Sequence, residues 1–442
     1  MKALGYGIDF GTTNSAIAVA YDDRVEVLQL EADSSLPTML PSITYLHRSG
    51  NRLAGTEAAR TSMVTGANTH RCAQCELAAI SRQYRAGGGC LDSRLLSGLK
   101  LDLSDQSFNG TDSWGQHFQV EELIAVVLRR LKRDADRSVG EDIGKAVIGY
   151  PLAFPGTEGS MYRVSQALAQ QRLRSAAELA GFDEIRLLPE PQAAALVEDV
   201  DVGTVLALDF GGGTFDAAVI RFEEQDAEVT ALQGAAVGGE LIDRALFREK
   251  VAPVLGLEAT FAAMSGARLS MPNWMRTRFQ SLAGIKHLVA DPSVASWIRE
   301  RTGEPGGEPL KQLDLLLFGG HAYAFYKAIE EAKVNLSSVE STSISYQRPG
   351  LSVDIPLNRN ELELMSQPFL VPIMECVERA LSQADISSRE VSYVVNTGGS
   401  SMLTSYQRMV AERFGADRIV NRDPFNTVVC GLGYEAQGRW QA

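Results

Sequence analysis

Two short stretches carry the residue types that phosphate chemistry needs. The first is Asp9-Phe10-Gly11-Thr12-Thr13-Asn14. The second is Asp209-Phe210-Gly211-Gly212-Gly213-Thr214-Phe215-Asp216. Neither has the glycine spacing or the lysine of a Walker loop. What they share is a carboxylate at the end of an apolar run, followed by glycine and hydroxyl side chains. Glycine lets backbone N–H groups come close to an anion, and Thr and Asn add uncharged donors. A third glycine turn, Gly398-Gly399-Ser400-Ser401, follows another apolar run. One such turn suits any tight hairpin. Three of them, two behind the same tripeptide, suggest turns that grip nucleotide phosphates from both sides. Asp9 and Asp209 then suit a hydrated Mg²⁺, which keeps several waters and takes few direct protein ligands. The alternative is that both aspartates cap their turns.

The elements that must position these turns follow from the pattern. "ALGYGIDFG", "AIAVAY" and "VEVLQL" read as three strands joined by the turns "TTNS" and "DDR", and so as antiparallel neighbours. "GTVLALDFGGGTFDAAVI" repeats that design about one domain length later, which predicts an internal duplication of two α/β halves. "VEELIAVVLRRLKRDADRSV" and "SQALAQQRLRSAAELAGF" have helical spacing, the second stopped by Gly181. "KAVIGYP" and "EIRLLPEP" flank the second helix as strands, which predicts a parallel pair. The stretch from Val254 to Leu310 reads as an inserted, mainly helical subdomain ending in a Pro/Gly loop. Its "MPNWMRTRF" carries aromatic and basic residues, for which ordinary packing is the plainer role.

Bulk properties narrow the function. The net charge of −13, with no basic block to offset it, argues against a nucleic-acid partner. No apolar run reaches transmembrane length, and the N-terminus lacks a signal peptide's apolar core, so a cytoplasmic protein is expected. Five cysteines in 442 residues are no disulfide framework. His70, Cys72, Cys75 and Cys90 cluster in sequence. A zinc site, a redox pair and incidental cysteines all remain open readings.

With these motifs in hand, the chain resembles the nucleotide-binding domain of the seventy-kilodalton heat-shock (DnaK-type) chaperones, within the actin and hexokinase-like ATPases. "GIDFGTTNSAIAV" and "LALDFGGGTFDAAVI" resemble the two phosphate motifs, and "AVIGYP" the first connecting segment. "RSAAELAGFDEIRLLPEPQAAAL" resembles the segment with the family's Glu-Pro. "GGELID" follows at its expected place. "AIEEAKVNLSS" and "VNTGGSSML" resemble the adenosine-contacting parts, and "DPFNTVVCGLG" the closing helix. The resemblance implies an α/β, duplicated actin-like (RNase H-like) ATPase fold, with two lobes around a nucleotide cleft. Lobe I would be 1–200, closed by the C-terminal helix 424–442. Lobe II would be 201–423, with the inserted subdomain at about 250–312.

The resemblance also implies roles. Gly11, Thr12, Thr13 and Asn14 would hold the phosphates of ATP or ADP from one side. Gly211, Gly212, Gly213 and Thr214 would hold them from the other. Asp9 and Asp209 would bind Mg²⁺ through water. Glu190 and Asp216 would orient the attacking water, with Asp209 and Thr214 completing the catalytic group. Gly239 would line the site. Glu330, Lys333 and Ser337, on one helix face, would meet ribose and adenine. Gly398, Gly399, Ser400 and Ser401 would close the adenosine pocket.

Three departures from the family pattern stand out. Ser93 falls where the family has a lysine aimed at the γ-phosphate, with Arg94 and Lys100 as possible substitutes, so slow or absent hydrolysis is expected. Val334 and Met402 replace two arginines that sandwich adenine, leaving an apolar slot. The third is an expected lack of the peptide-binding domain and linker, as in the short YegD-like relatives. The leading expectation is an ATP-binding, slowly hydrolysing switch read by an unknown protein partner, without membrane or nucleic-acid contacts. A small-molecule kinase and an actin-like scaffold or pseudo-ATPase are the alternatives.

Overall fold

The protein is seen in a computed structural model that describes residues 2–32, 34, 36–65, 69–70, 90–154, 165–197, 202–223, 226–262, 268–421 and 423–438. The apolar run before Gly11 forms β1 (Ala3–Phe10), and β2 (Asn14–Tyr21) returns antiparallel to it, followed by β3 (Val25–Val27). The third strand is shorter than "VEVLQL" because the Leu30 and Glu31 amides turn to the Pro37 carbonyl.

On the other side of β1 lie β4 (Lys145–Tyr150) and β5 (Glu184–Pro189), both parallel, giving the order β5-β4-β1-β2-β3. Helix α1 (Leu99–Asp102) and helix α2 (Val120–Val139) precede β4. Gln119 and Glu122 form a capping box at the start of α2, and Gly140 ends it in a left-handed conformation. Between β4 and β5 runs α3 (Gln166–Ala180), capped by the Ser165 side chain and stopped at Gly181 with φ 104°. Helix α4 (Glu190–Ala195) starts directly after β5.

The second half repeats this plan. Strands β6 (Val202–Phe210), β7 (Phe215–Glu223) and β8 (Asp226–Ala235) are antiparallel neighbours. Strands β9 (Tyr393–Thr397) and β10 (Ile419–Asn421) add in parallel on the far side of β6. The order β8-β7-β6-β9-β10 matches that of the first sheet strand for strand. The repeated Asp-Phe-Gly is therefore the visible trace of a duplicated sheet. Helix α5 (Gly239–Leu246) follows β8. Each sheet has its own buried core, the first around Tyr6, Ile8 and Phe10, the second around Leu206, Leu208 and Phe210.

The inserted region is more mixed than its sequence suggests. A short hairpin pairs Thr260–Ala262 with Arg268–Ser270. Then come Asn273–Arg278, helix α6 (Leu282–Ala290), Pro292–Arg301 and Leu310–Phe318. Trp274 in "MPNWMRTRF" stays 42% exposed with the Arg278 guanidinium over its ring. Helix α7 (Ala322–Asn335) leads back toward the second sheet, and α8 (Thr427–Gln437) closes on the first. The small residues of α8 are there for close approach. A Cβ on Gly7 would lie 2.3 Å from the Gly433 nitrogen, and one on Gly431 1.8 Å from the Ala193 carbonyl oxygen.

Helix α6 crosses to the first half, where His287 meets the Phe108 ring edge-on with centroids 5.4 Å apart. Burial, and then the charges of Lys286, Arg278 and Arg94, depress its pKa from 6.5 to about 3. The unfolded chain takes up this proton below pH 6.5 while the folded chain refuses it. Stability is therefore lost as pH falls from 6.5 toward 3. Between pH 7 and pH 5 the expected loss is on the order of 1–2 kcal/mol from this ring alone. Urea unfolding at the two pH values should show it, and His287→Phe should flatten the difference. Equal pH dependence in both proteins would contradict it.

Candidate functional site

The two Asp-Phe-Gly turns face each other across the gap between the sheets. A Cβ on Gly213 would lie 2.6 Å from Thr12 Oγ1, and one on Gly212 2.9 Å from Thr13 Oγ1. The second turn is braced from below. The Gly239 and Glu240 amides donate to the Gly211 and Gly212 carbonyls at 3.1 and 2.8 Å. A Cβ on Gly238 would lie 2.3 Å from the Gly212 carbonyl oxygen, so the first glycine of "GGELID" is there for packing. The third turn joins as well, since Ser400 Oγ donates to the Gly211 carbonyl at 2.9 Å. Gly398 backs onto Asp209, where a Cβ would come 2.5 Å from its Oδ1.

Acidic groups gather behind these turns. Asp209 and Asp216 are cross-strand partners on β6 and β7, and Glu190 opens α4. Lys100 of α1 donates to Glu190 Oε1 at 2.6 Å, with both side chains about 95% buried. This supplies the positive charge that Ser93 lacks. Ser93 itself turns away to Thr65, 3.1 Å between hydroxyls, and Arg94 donates to Ser113 and to the Lys286 carbonyl. Of the two substitutes considered from sequence, Lys100 is the one that arrives. The only local hint is a lysine inside the apolar "LLSGLKLDL".

Among the described residues, the electrostatics are those of an anionic site with one cation. Burial, then the Glu190 charge, pushes Asp9 up to about 7 against the pull of Lys100. Burial and Glu190 push Asp216 up to about 8, although the Leu152 amide, donating at 2.9 Å, and the Thr214 hydroxyl favour its charged form. Asp209 is raised well above the usual carboxylate range by burial and then by Glu190, Asp216 and Asp9. For Lys100, burial is outweighed by the charges of Glu190, Asp9 and Asp209, and its pKa is raised. Asp216 Oδ2 is buried with no hydrogen-bond partner. Oxygen donors in excess of positive charge, one of them orphaned, fit a hard divalent cation.

Of the expected residues, Thr12, Thr13, Asn14 and Glu330 line one cleft. This cleft runs between Thr12, Thr13, Asn14 and Ser97 on one wall and Glu240, Asp243, Tyr323 and Glu330 on the other. Glu330 accepts from Lys327 at 2.8 Å. Lys333 is held by Asp243 at 2.7 Å and touches the Gly239 carbonyl at 3.3 Å. Helix α7 ends at Asn335, and Ser337 lies in the turn just beyond it, its amide donating to the Val334 carbonyl at 3.0 Å. Val334 and Met402 are 54% and 45% exposed, a large apolar surface for side chains facing water. Gly399 backs onto the Phe425 ring. Cys72 and Cys75 lie outside the described residues, as do the side chains of His70 and Cys90.

Two sheets of the same order, each presenting a carboxylate and a glycine turn to a shared cleft, define the actin-like ATPase class of fold. The Hsp70 protein family matches residues 5–254 and 322–437. The chain belongs to this family. It is 27% identical over 446 residues to the Chaperone protein HscA homolog of Methylobacillus flagellatus, covering 98% of this chain and 58% of that protein. It is 26% identical over 455 residues to the Chaperone protein DnaK of Thermus thermophilus, covering 98% and 60%. The chain thus spans about three-fifths of the length of these curated relatives.

Proposed function

We propose that this chain is an ATP-binding, Mg²⁺-dependent nucleotide switch of low intrinsic turnover. The observation that carries the reading is the opposition of the two glycine turns, Gly213 against Thr12 and Gly212 against Thr13, in front of a buried carboxylate group. Residues 1–200 with α8 would form one lobe and 201–423 the other. Gly11 to Asn14 and Gly211 to Thr214 would hold the phosphates between them. Asp9 and Asp209 would hold Mg²⁺ through water, and the ion would neutralise charge on the phosphates. Asp216 and Glu190 would orient the attacking water, with Lys100 placing positive charge where phosphoryl transfer develops negative charge. Lys100 is the one cation acting on Asp9, Asp209 and Asp216 among the described residues, and no arginine joins it. In GTPases an arginine finger raises turnover by about 10³–10⁵-fold, and a site served by Lys100 alone supports a switch above a metabolic enzyme.

The adenosine would rest near Gly239, Glu330, Lys333 and the turn Gly398 to Ser401, with Val334 and Met402 covering the base by burial. A protein partner would read the closed and open forms. The acidic balance and the sparse cysteines support a cytoplasmic setting without a nucleic-acid partner. Helices long and apolar enough to cross a membrane are absent among the described residues.

A calorimetric titration with ATP and ADP, with and without Mg²⁺, tests the reading. Binding well below millimolar, tighter for ATP when Mg²⁺ is present, is expected. No binding at millimolar nucleotide would overturn it. Phosphate release that needs an added metabolite would favour a kinase, and light scattering that rises with Mg-ATP a filament.

A further inference from the structure

The two stretches that match the Hsp70 family leave out residues 255–321. That omitted region contains α6, and α6 makes a buried connection to the first half of the chain. The Lys286 ammonium pairs with the Asp102 carboxylate, both side chains nearly fully buried, and also donates to the Ser97 carbonyl at 3.2 Å. The same ammonium lies 5.3 Å from the centre of the Phe108 ring. Arg94 reaches from the Ser93–Leu96 strand to the Lys286 carbonyl at 3.0 Å. Ala283 sits so close to Gly98 that a Cβ there would be 2.6 Å away.

The receiving element is α1, a single helical turn. Its consecutive residues serve three parts of the molecule. Lys100 donates to Glu190, Leu101 lies 3.2 Å from where a Gly213 Cβ would stand, and Asp102 receives Lys286. Successive residues on a helix point about 100° apart, so one turn can face all three at once. Arg172 fixes the far end of α1 by donating to the Asp102, Leu103 and Asp105 carbonyls at 2.9, 3.2 and 3.0 Å. A one-turn helix has too few internal hydrogen bonds to hold itself, so its orientation is set by these outside contacts.

We propose that Lys286 and Asp102 form a clasp that closes the inserted region onto α1 and thereby positions Lys100. Lys286 is a positioning residue that acts through Asp102. Closure of the cleft and competence for hydrolysis become one event, because the helix that carries Lys100 is held by the opposite half. Opening the clasp frees the nucleotide and takes Lys100 off Glu190 together. A buried pair suits this role. Parting the two charges inside the protein would leave each uncompensated, so the pair holds while this contact stays buried.

The inference rests on the nucleotide-switch reading, and its test separates the two. Lys286→Met keeps the stem and removes the charge. ADP release, followed by stopped-flow with a fluorescent ADP analogue, is expected to speed up by about tenfold or more. Single-turnover hydrolysis at saturating ATP is expected to fall by a similar factor. Lys286→Arg should recover most of both. Arg94→Met, which leaves the ion pair in place, should shift both in the same direction by less, and it serves if Lys286→Met does not fold. Hydrogen exchange on the nucleotide-free protein should show amides of 97–105 and 282–290 losing protection together in Lys286→Met. Lack of nucleotide binding by the wild-type chain would sink the switch reading, while the exchange result would still decide the clasp. A folded Lys286→Met with wild-type ADP release and wild-type exchange over 97–105 would overturn the clasp.

Discussion

Lys100→Met is expected to lower ATP turnover by about 10²–10³-fold while changing ADP affinity much less. The ammonium sits 2.6 Å from Glu190 with both side chains about 95% buried, and its charge acts on Asp9, Asp209 and Asp216. A charge aimed at a developing phosphoryl oxyanion in such a place is worth about 3–4 kcal/mol in the transition state. Ground-state binding draws on the turns and Mg²⁺ as well, so KM should move less than kcat. The loss also leaves Glu190 buried without its partner, and the variant should melt at a lower temperature. A second variant makes the test specific. Lys100→Met with Ser93→Lys places a lysine where the family resemblance expects one. It should not recover activity, because Ser93 is buried against Thr65, away from Glu190. Single-turnover hydrolysis with labelled ATP is the measurement. Turnover within a few-fold of wild type in Lys100→Met, or full recovery with Ser93→Lys, would remove Lys100 from the mechanism.

Gly213→Asp is expected to weaken ATP and ADP binding by about a hundredfold or more, roughly 3 kcal/mol. A side chain there meets Thr12 Oγ1 at 2.6 Å and Leu101 Cδ2 at 3.2 Å, so the two turns must part to admit it. The added carboxylate then faces both the phosphates and the buried acids. Gly213→Ala separates the two causes, since it spreads the turns without adding charge and should lose less affinity. Gly212→Asp meets the more exposed Thr13 at 2.9 Å and should lose affinity through charge more than through space. Calorimetric titration of the three variants reads this directly. Wild-type affinity in Gly213→Asp and Gly212→Asp would mean that the turns do not hold phosphate.

Much of this architecture was legible in the residue order because it rests on short-range rules. Alternation and apolar runs marked β1, β2, β6 and β7. Ser165 and Gly181 bounded α3 through a side-chain cap and a left-handed stop. The repeated Asp-Phe-Gly announced a duplicated sheet, since equal strand–turn–strand segments fold alike wherever they occur. Glycine turns behind aspartates marked a candidate phosphate site for the same reason. Short-range rules were less exact at helix ends, as at Asn335, where α7 stops two residues before Ser337.

The tertiary structure decided which charges meet. Lys100 reaches Glu190 across 90 positions and Lys286 reaches Asp102 across 184. Periodicity cannot announce such pairs, because they depend on how the two sheets and the inserted helices are set against each other. Alignment to a motif put Ser93 where a lysine is expected and left Arg94 and Lys100 as substitutes, whereas the geometry of α1 brings Lys100 to Glu190. A buried carboxylate asks only that some ammonium arrive, and burial makes that demand without regard to where in the chain the lysine is written.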